Sequence, residues 1–189
     1  MPNLIKDIKD TMKKKGISSE TIEKFDFSDM NSNKPENVFD LINQMDKHLS
    51  KEQCLAIMQE QGCCTTGKTA KAHSDFGKKH RNKTIEEKIK LLEKLETPHK
   101  PPCKLNDDNT LSVFWELGNE GDYKCVCGFM KKLSQPVNVS KTFCGCCGGH
   151  ARKNLQRSLG VKLQLKKIVS SAISSKGKKR CEFLYSIIN

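Results

Sequence analysis

The sequence is poor in aromatic residues and has no long apolar run. Phe, Trp and Tyr make up 6% of its 189 residues, with one Trp and two Tyr. Proteins that bind single-stranded nucleic acids stack the bases on aromatic side chains, and such surfaces are scarce here. No segment approaches the roughly 18 apolar residues that a membrane-spanning helix needs. We therefore expect neither a nucleic acid nor a membrane as a partner.

The N-terminal residues also lack the apolar core of a secretory signal peptide, because Asp7 and Asp10 interrupt the amphipathic stretch MPNLIKDIKDTMKKKG. We therefore expect a cytoplasmic protein. Cysteine, in contrast, is abundant, with ten residues. In a reducing cytoplasm, this number of cysteines favours free thiols or a metal site over a framework of disulfides.

The net charge of +12 is spread over many segments of the chain. Basic runs occur at residues 13–15, 78–79 and 178–180. Because the charge is distributed in this way, we interpret it as a lysine-rich, solvated surface rather than a nucleic-acid-binding face.

The first half of the chain is predicted to be helical. Ser50 with Gln53, and Thr84 with Glu87, have the spacing of capping boxes, which mark helix starts. Pro35 suits the first position of a further helix. Apolar residues recur at helical spacing behind each of these signals.

A proline-rich stretch separates this half from the rest. Pro98, Pro101 and Pro102 are typical of a linker or a rigid crossing loop. The sequence therefore predicts a helical region over residues 1–100 and a cysteine-rich α+β domain over residues 101–189.

Residues 62–69, GCCTTGKT, match the pattern of a phosphate-binding loop. That loop needs a buried strand before it and a helix after it. Here the preceding residues, 59–61, belong to a predicted helix, so we do not expect nucleotide binding. We interpret the same residues as a helix end followed by two thiols, Cys63 and Cys64.

The second half is predicted to form an antiparallel sheet with a helix packed across it. Residues 110–117 and 123–129 are predicted to pair as a hairpin. A helix is predicted from about Cys147 to Gly160, followed by two strands. A shift in the apolar pattern at 166–168 predicts a bulge in the first of them. The order strand, strand, helix, strand, strand indicates the α+β class.

Five of the ten cysteines lie within residues 124–151. Cys125 and Cys127 are two positions apart on a predicted strand, so their thiols should share one face, about 7 Å apart. Cys146 and Cys147 lie at a predicted helix start, where exposed N–H groups and the helix dipole lower the pKa of a thiol. These residues are therefore candidates for metal ligands or nucleophiles.

Three stretches of this half resemble the 4-vinyl reductase domain superfamily: KCVCGF at 124–129, TFCGCCGGHARKNLQRSLG at 142–160 and GKKRCEFLYSI at 177–187. They look most similar to a group of prokaryotic proteins, some labelled L-2-amino-thiazoline-4-carboxylate hydrolase-like. The resemblance covers roughly residues 50–189. Superfamily members include ligand-sensing domains of phenol-responsive regulators and vesicle-tethering subunits, which implies a small-molecule ligand or a protein partner.

In the sensor members, zinc is held by a cysteine near the helix start, a Glu and a Cys near the penultimate strand, and a cysteine of the last strand. The resemblance implies that Cys146 or Cys147 matches the first of these ligands, near the helix start, and that Cys181 matches the last, on the last strand. Residues 170–175 contain neither Glu nor Cys. A metal in this chain would have to recruit other thiols, namely Cys125, Cys127 and Cys144.

The first functional hypothesis is a metal-binding protein that also holds a small ligand between sheet and helices. Zinc is the first choice of metal and prefers four Cys or His ligands, while an iron–sulfur cluster is the second choice. The preferred ligands are Cys125, Cys127, Cys144 and Cys146. The reserve ligands are Cys147, Cys181, Cys63, Cys64 and His150.

Two further hypotheses remain open. The first is a thiol-dependent enzyme in which Cys146 or Cys147 is the nucleophile and His150 the base. The second is a protein-interaction module, by analogy with the tethering subunits. The sequence also leaves open whether the chain forms a homodimer.

Overall fold

The computed structural model describes residues 4–28, 34–62, 67–97, 101–130 and 139–188. Within these ranges the chain forms seven α-helices and one four-stranded antiparallel sheet, which confirms the predicted α+β class. The helices are α1 (Leu4–Lys14), α2 (Ser19–Ile22), α3 (Pro35–His48), α4 (Lys51–Gln61), α5 (Gly67–Lys79), α6 (Ile85–Leu92) and α7 (Gly145–Leu159). The strands are β1 (Cys103–Leu105), β2 (Thr110–Trp115), β3 (Lys162–Ser170) and β4 (Cys181–Ile188).

The helix starts follow the capping signals in the sequence. Ser50 and Thr84 each accept a hydrogen bond from the backbone three residues on, and both predicted capping boxes are complete. Pro35 occupies the start of α3. Gly160 ends α7 with a φ of 74°, a left-handed conformation that glycine adopts without steric cost. These local predictions are confirmed.

The sheet has the strand order β1-β2-β4-β3. In its centre, Val113 of β2 is opposite Phe183 of β4. The pairing of β3 with β4 shifts register between Leu165 and Lys167, which confirms the predicted bulge. Tyr185 is fully buried, and its hydroxyl donates a 2.7 Å hydrogen bond to the carbonyl of Gly148, which fastens the sheet to α7.

The predicted hairpin of residues 110–117 with 123–129 is wrong. Residues 116–130, all of them described, contain no strand. One edge of β2 is occupied by β4 and the other by β1, so no edge is left for a further strand. The predicted turn itself forms, since the backbone N–H of Lys124 donates to the carbonyl of Leu117. Beyond it, the N–H of Tyr123 donates to the carbonyl of Gly177, in the turn between β3 and β4.

Two hydrophobic cores organise the described residues, and both combine side chains from before and after residue 100. The first core joins α1, α3 and α4 to a short 3₁₀ helix, Lys141–Cys144, and its fully buried members include Ile8, Met12, Ile42, Met45 and Ile57. The second core joins α5, α6 and α7 to the sheet and includes Leu111, Val113, Leu155, Phe183 and Tyr185.

The end of α7 is stabilised by a buried cation. Lys88 of α6 is only 7% exposed, and its Nζ donates a 2.8 Å hydrogen bond to the carbonyl of Leu159. The last carbonyls of a helix lack partners within the helix and carry partial negative charge, so an ammonium group is favourable there.

We therefore expect Lys88→Met to lower the free energy of unfolding by about 1 kcal/mol, because it removes this hydrogen bond and keeps the apolar stem. Urea unfolding followed by circular dichroism measures the change. Lys90→Met, at an exposed position of the same helix, is the matched control and should unfold like the unmodified protein. Equal unfolding midpoints for the two variants would contradict this role of Lys88.

Candidate thiol site

The glycines at the start of α7 bring its cysteines into the interior. A Cβ atom on Gly145 would lie 2.6 Å from the Cβ of Met58, and one on Gly149 would lie 2.1 Å from the carbonyl oxygen of Gln59. Both separations are too short for a side chain. The first turns of α7 therefore lie directly against α4, and this contact carries Cys147 towards the junction of the two cores.

Cys127 reaches the same place from a segment without regular secondary structure. Phe129 fixes this segment, because its ring lies 6.1 Å from that of Phe39 and 5.9 Å from that of Phe143, measured between centroids. Cys127 packs against the first core and Cys147 against the second. Each of the two thiols is the largest influence on the other's pKa, and both side chains are partly buried.

Within this pair, Cys127 has the lower pKa. Its pKa is lowered to about 6, first by the hydrogen bond from Cys147 and further by the backbone N–H groups of Met130 and Phe129, while burial opposes the shift. The pKa of Cys147 is raised well above its usual value, first by the same hydrogen bond and second by burial. This direction is the opposite of the one that the helix start predicts for Cys147.

Cys125 adjoins this pair, although not as the predicted neighbour on a strand. Its Sγ accepts a hydrogen bond from the backbone N–H of Cys127 at 3.4 Å. Backbone N–H groups are thus directed at both sulfurs of the CxC motif. Such donors stabilise negative charge on sulfur.

Two deeper thiols complete the group. The Sγ of Cys144 lies 3.2 Å from the Oγ of Ser171, and the Sγ of Cys181 accepts a 3.4 Å hydrogen bond from the backbone N–H of Ala172. Burial raises the pKa of both thiols, that of Cys144 to about 12. Nearby cysteines raise the pKa of Cys144 further, which places their sulfurs within electrostatic range of it: Cys181, Cys125 and Cys127.

We call these five residues the thiol cluster: Cys125, Cys127, Cys144, Cys147 and Cys181. The sixth candidate, Cys146, is buried in the first core, although it also contributes to raising the pKa of Cys147. Cys63 and Cys64 lie outside the described residues. The eight cysteines within the described part of the chain are all free thiols. In that same part, no three His, Cys, Asp or Glu side chains are grouped in a way that could hold a metal ion.

His150 faces a polar partner on its own helix. Arg157 donates to the Oδ1 of Asn154 at 3.0 Å, so the Nδ2 of Asn154 is the atom that donates to the Nε2 of His150, at 3.1 Å. The ring of His150 also lies 5.7 Å from that of Trp115. The Nε2 of His150 is thus hydrogen-bonded to Asn154.

A second buried histidine gave no signal in the sequence. His73 of α5 is fully buried, with its Nδ1 2.6 Å from the Oγ of Ser158, and its Nε2 has no hydrogen-bond partner among the described residues. Its pKa is lowered to about 4, mainly by burial and further by His150 and Arg157. Gly77 allows this contact, because its Cα lies directly against the backbone of α7 at Arg157.

A groove of about 550 Å³ opens on the helical half, at α1 and α2. Its lining includes Lys9, Lys13, Ile17, Phe25 and Phe27. It shares no lining residue with the thiol cluster. A small ligand between sheet and helices, and a homodimer, stay predictions.

Fold and site together define an α+β protein with a partly buried group of thiols. Comparisons of the chain with family models, curated proteins and solved structures found no match. The resemblance to the 4-vinyl reductase superfamily therefore stays a prediction that rests on the quoted motifs. Among the described helices, none has the length and apolar character needed to cross a membrane.

Proposed function

We propose that the protein binds a thiophilic metal ion at the thiol cluster, zinc in the first place and an iron–sulfur cluster in the second. The observation that supports the proposal is that Cys127 and Cys147 are the largest influence on each other's pKa, with three further thiols in electrostatic range of this pair or of one another: Cys125, Cys144 and Cys181. These sulfurs come from three separate parts of the chain: the segment after β2, the start of α7, and β4.

The mutual influence of Cys127 and Cys147 on their pKa values supports their choice as two ligands of one ion. Zinc takes four ligands in a tetrahedron with Zn–S bonds of about 2.3 Å, which puts two sulfurs about 3.8 Å apart. Metal binding would displace the protons of the thiols that become ligands, and the released protons would make the affinity depend on pH.

The surroundings of the CxC motif support the same function. Metal-bound thiolates carry negative charge, and hydrogen bonds to their sulfurs orient and stabilise them. The backbone N–H groups of Cys127, Phe129 and Met130 supply such bonds before any metal is present. The remaining ligands would be recruited by rotation of neighbouring thiols: Cys125, Cys144 and Cys181.

The proposal predicts about one zinc per chain in protein purified without added metal, as measured by elemental analysis. Cys127→Ser and Cys147→Ser should each weaken zinc binding at least tenfold in competition with a chelating dye, because each removes a ligand. Cys103→Ser is the matched control. It lies on β1 and is also partly buried, and its pKa is raised first by burial and second by Glu93, with no contribution from a cysteine.

Two results would contradict the proposal. One is protein that contains neither zinc nor iron and whose ten cysteines all react as free thiols in the native state. The other is the same zinc affinity in Cys127→Ser, Cys147→Ser and Cys103→Ser.

A further inference from the structure

We propose that the groove at α1 and α2 binds a small apolar acid, that is, a molecule with an apolar body and one carboxylate. The groove shares no lining residue with the thiol cluster, so this proposal does not depend on metal binding. Its support comes from a buried apolar floor, an aromatic side and two lysines that lie beside each other on α1.

The groove forms where the chain turns back after α1. Gly16 follows this helix with a φ of 75°, a left-handed conformation that suits glycine, and the chain then continues into α2. The floor consists of Ile17, Ile22 and Phe25, which are 8%, 8% and 6% exposed and belong to the first core. The floor therefore exists before any ligand binds, which lowers the cost of binding one.

Phe27 gives the groove an aromatic side. Its ring is stacked on that of Phe25, with 5.9 Å between the centroids and 26° between the planes. Phe27 is only partly buried, so part of its ring stays accessible to a ligand in the groove that it lines. The volume of about 550 Å³ lies within the range of roughly 300–1,000 Å³ that is usual for small-molecule sites. A flat apolar body of one or two rings therefore suits the groove.

Two lysines of α1 supply positive charge to the same groove. Lys9 and Lys13 both line it and are four positions apart, which places them beside each other on one face of the helix. The Nζ of Lys9 lies 4.5 Å from the centroid of the Phe27 ring. Neither lysine forms an ion pair with a carboxylate among the described residues. Like charges at this spacing repel each other, and an anion between them would remove the repulsion.

Glu23 is the acidic residue of the lining, and it decides how the ligand is oriented. It follows α2, whereas the two lysines belong to α1. Because its carboxylate repels that of the ligand, the acid group would lie towards Lys9 and Lys13 and the apolar body towards Phe27. Two positive side chains and one negative side chain suit a single anionic group rather than a polyphosphate.

Binding of 2-naphthoate to the full chain tests the proposal, with the uncharged 2-naphthamide as the matched ligand. The fluorescence anisotropy of the naphthyl group measures both affinities. We expect 2-naphthoate to bind more tightly than 2-naphthamide, and its binding to weaken as salt is added, because salt screens charges at a protein surface. Equal affinities for the two ligands would overturn the proposal.

Three variants separate the groove from the rest of the basic surface. Lys13→Met should weaken 2-naphthoate binding about threefold, the scale of one ion pair at a surface, and Glu23→Gln should strengthen it by a similar factor. Lys14→Met is the control, because it removes the same charge at the next position of α1, outside the lining. All three side chains are exposed, so we expect each variant to fold. Equal affinities in Lys13→Met and Lys14→Met would contradict a role of the groove.

Amide NMR spectra of the full chain show where the ligand binds. 2-Naphthoate should shift the signals of α1 and of residues 16–27 and leave those of Cys127 and Cys147 unchanged. Shifts confined to another part of the chain would rule out this site. Sedimentation with phosphatidylglycerol vesicles distinguishes a membrane from a small molecule. If the protein sediments with these vesicles and does not bind 2-naphthoate, α1 contacts an anionic membrane and the small-molecule assignment is overturned.

Discussion

Replacing Gly149 by alanine is expected to lower the free energy of unfolding by about 3 kcal/mol, since overpacking a tight contact costs about this much. The added Cβ would lie 2.1 Å from the carbonyl oxygen of Gln59 and 3.0 Å from its Cα. Both are backbone atoms of α4, so no side-chain rotation relieves the clash, and α4 and α7 must separate.

Gly128→Ala is the matched control for this substitution. A Cβ at Gly128 would meet no atom within 4 Å, and its backbone conformation is open to other residues. Urea unfolding of the two variants should therefore differ in midpoint, with Gly149→Ala well below the unmodified protein and Gly128→Ala close to it. If both variants unfold at the same urea concentration, Gly149 is not needed for the close contact between α4 and α7.

Gly149 also shows which parts of the fold the sequence could predict. The helices follow from local signals, because capping boxes, a proline at N1 and glycine stops act within one turn of chain. That a glycine inside α7 serves a contact with α4 depends on two segments about ninety residues apart, and no local signal reports such a contact.

The wrong hairpin has a similar cause. Residues 123–129 carry strand-forming residues, but β2 can accept only two neighbours. One of them, β1, has three residues and follows a proline-rich stretch, so its pattern is too short to be distinguished from a linker. Which strand occupies an edge is decided by tertiary pairing rather than by propensity.

The sequence predicts which cysteines are candidates for the thiol site, but not which of them lie next to each other. The spacing of cysteines predicted a site at 124–151, and that the candidate residues form a metal site stays a prediction. Cys127 lies near Cys147 because Phe129 fixes the irregular segment that carries Cys127. No local pattern in the sequence predicts this. His73 was not found, because a single histidine on an amphipathic helix carries no sign of its burial.

His73 gives the second large prediction, a loss of stability in mild acid. Its pKa falls from 6.5 in the unfolded chain to about 4 in the native protein, where burial, His150 and Arg157 of α7 all disfavour the imidazolium. The unfolded state therefore binds a proton before the native state does as the pH falls. This contribution to stability is complete above pH 6.5 and is lost progressively as the pH falls towards 4.

Between pH 7 and pH 5 we expect this histidine alone to remove about 2 kcal/mol from the free energy of unfolding. Urea unfolding at a series of pH values measures it, with His73→Gln compared against His80→Gln, one residue beyond the end of the same helix. His73→Gln lowers stability at pH 7, because it disturbs a buried hydrogen bond, but its profile should be flatter by about 2 kcal/mol. His80→Gln should keep the slope of the unmodified protein. Parallel profiles for all three proteins would contradict this prediction. They would show that the pKa of His73 is the same in the native and the unfolded state, in spite of its burial against Ser158.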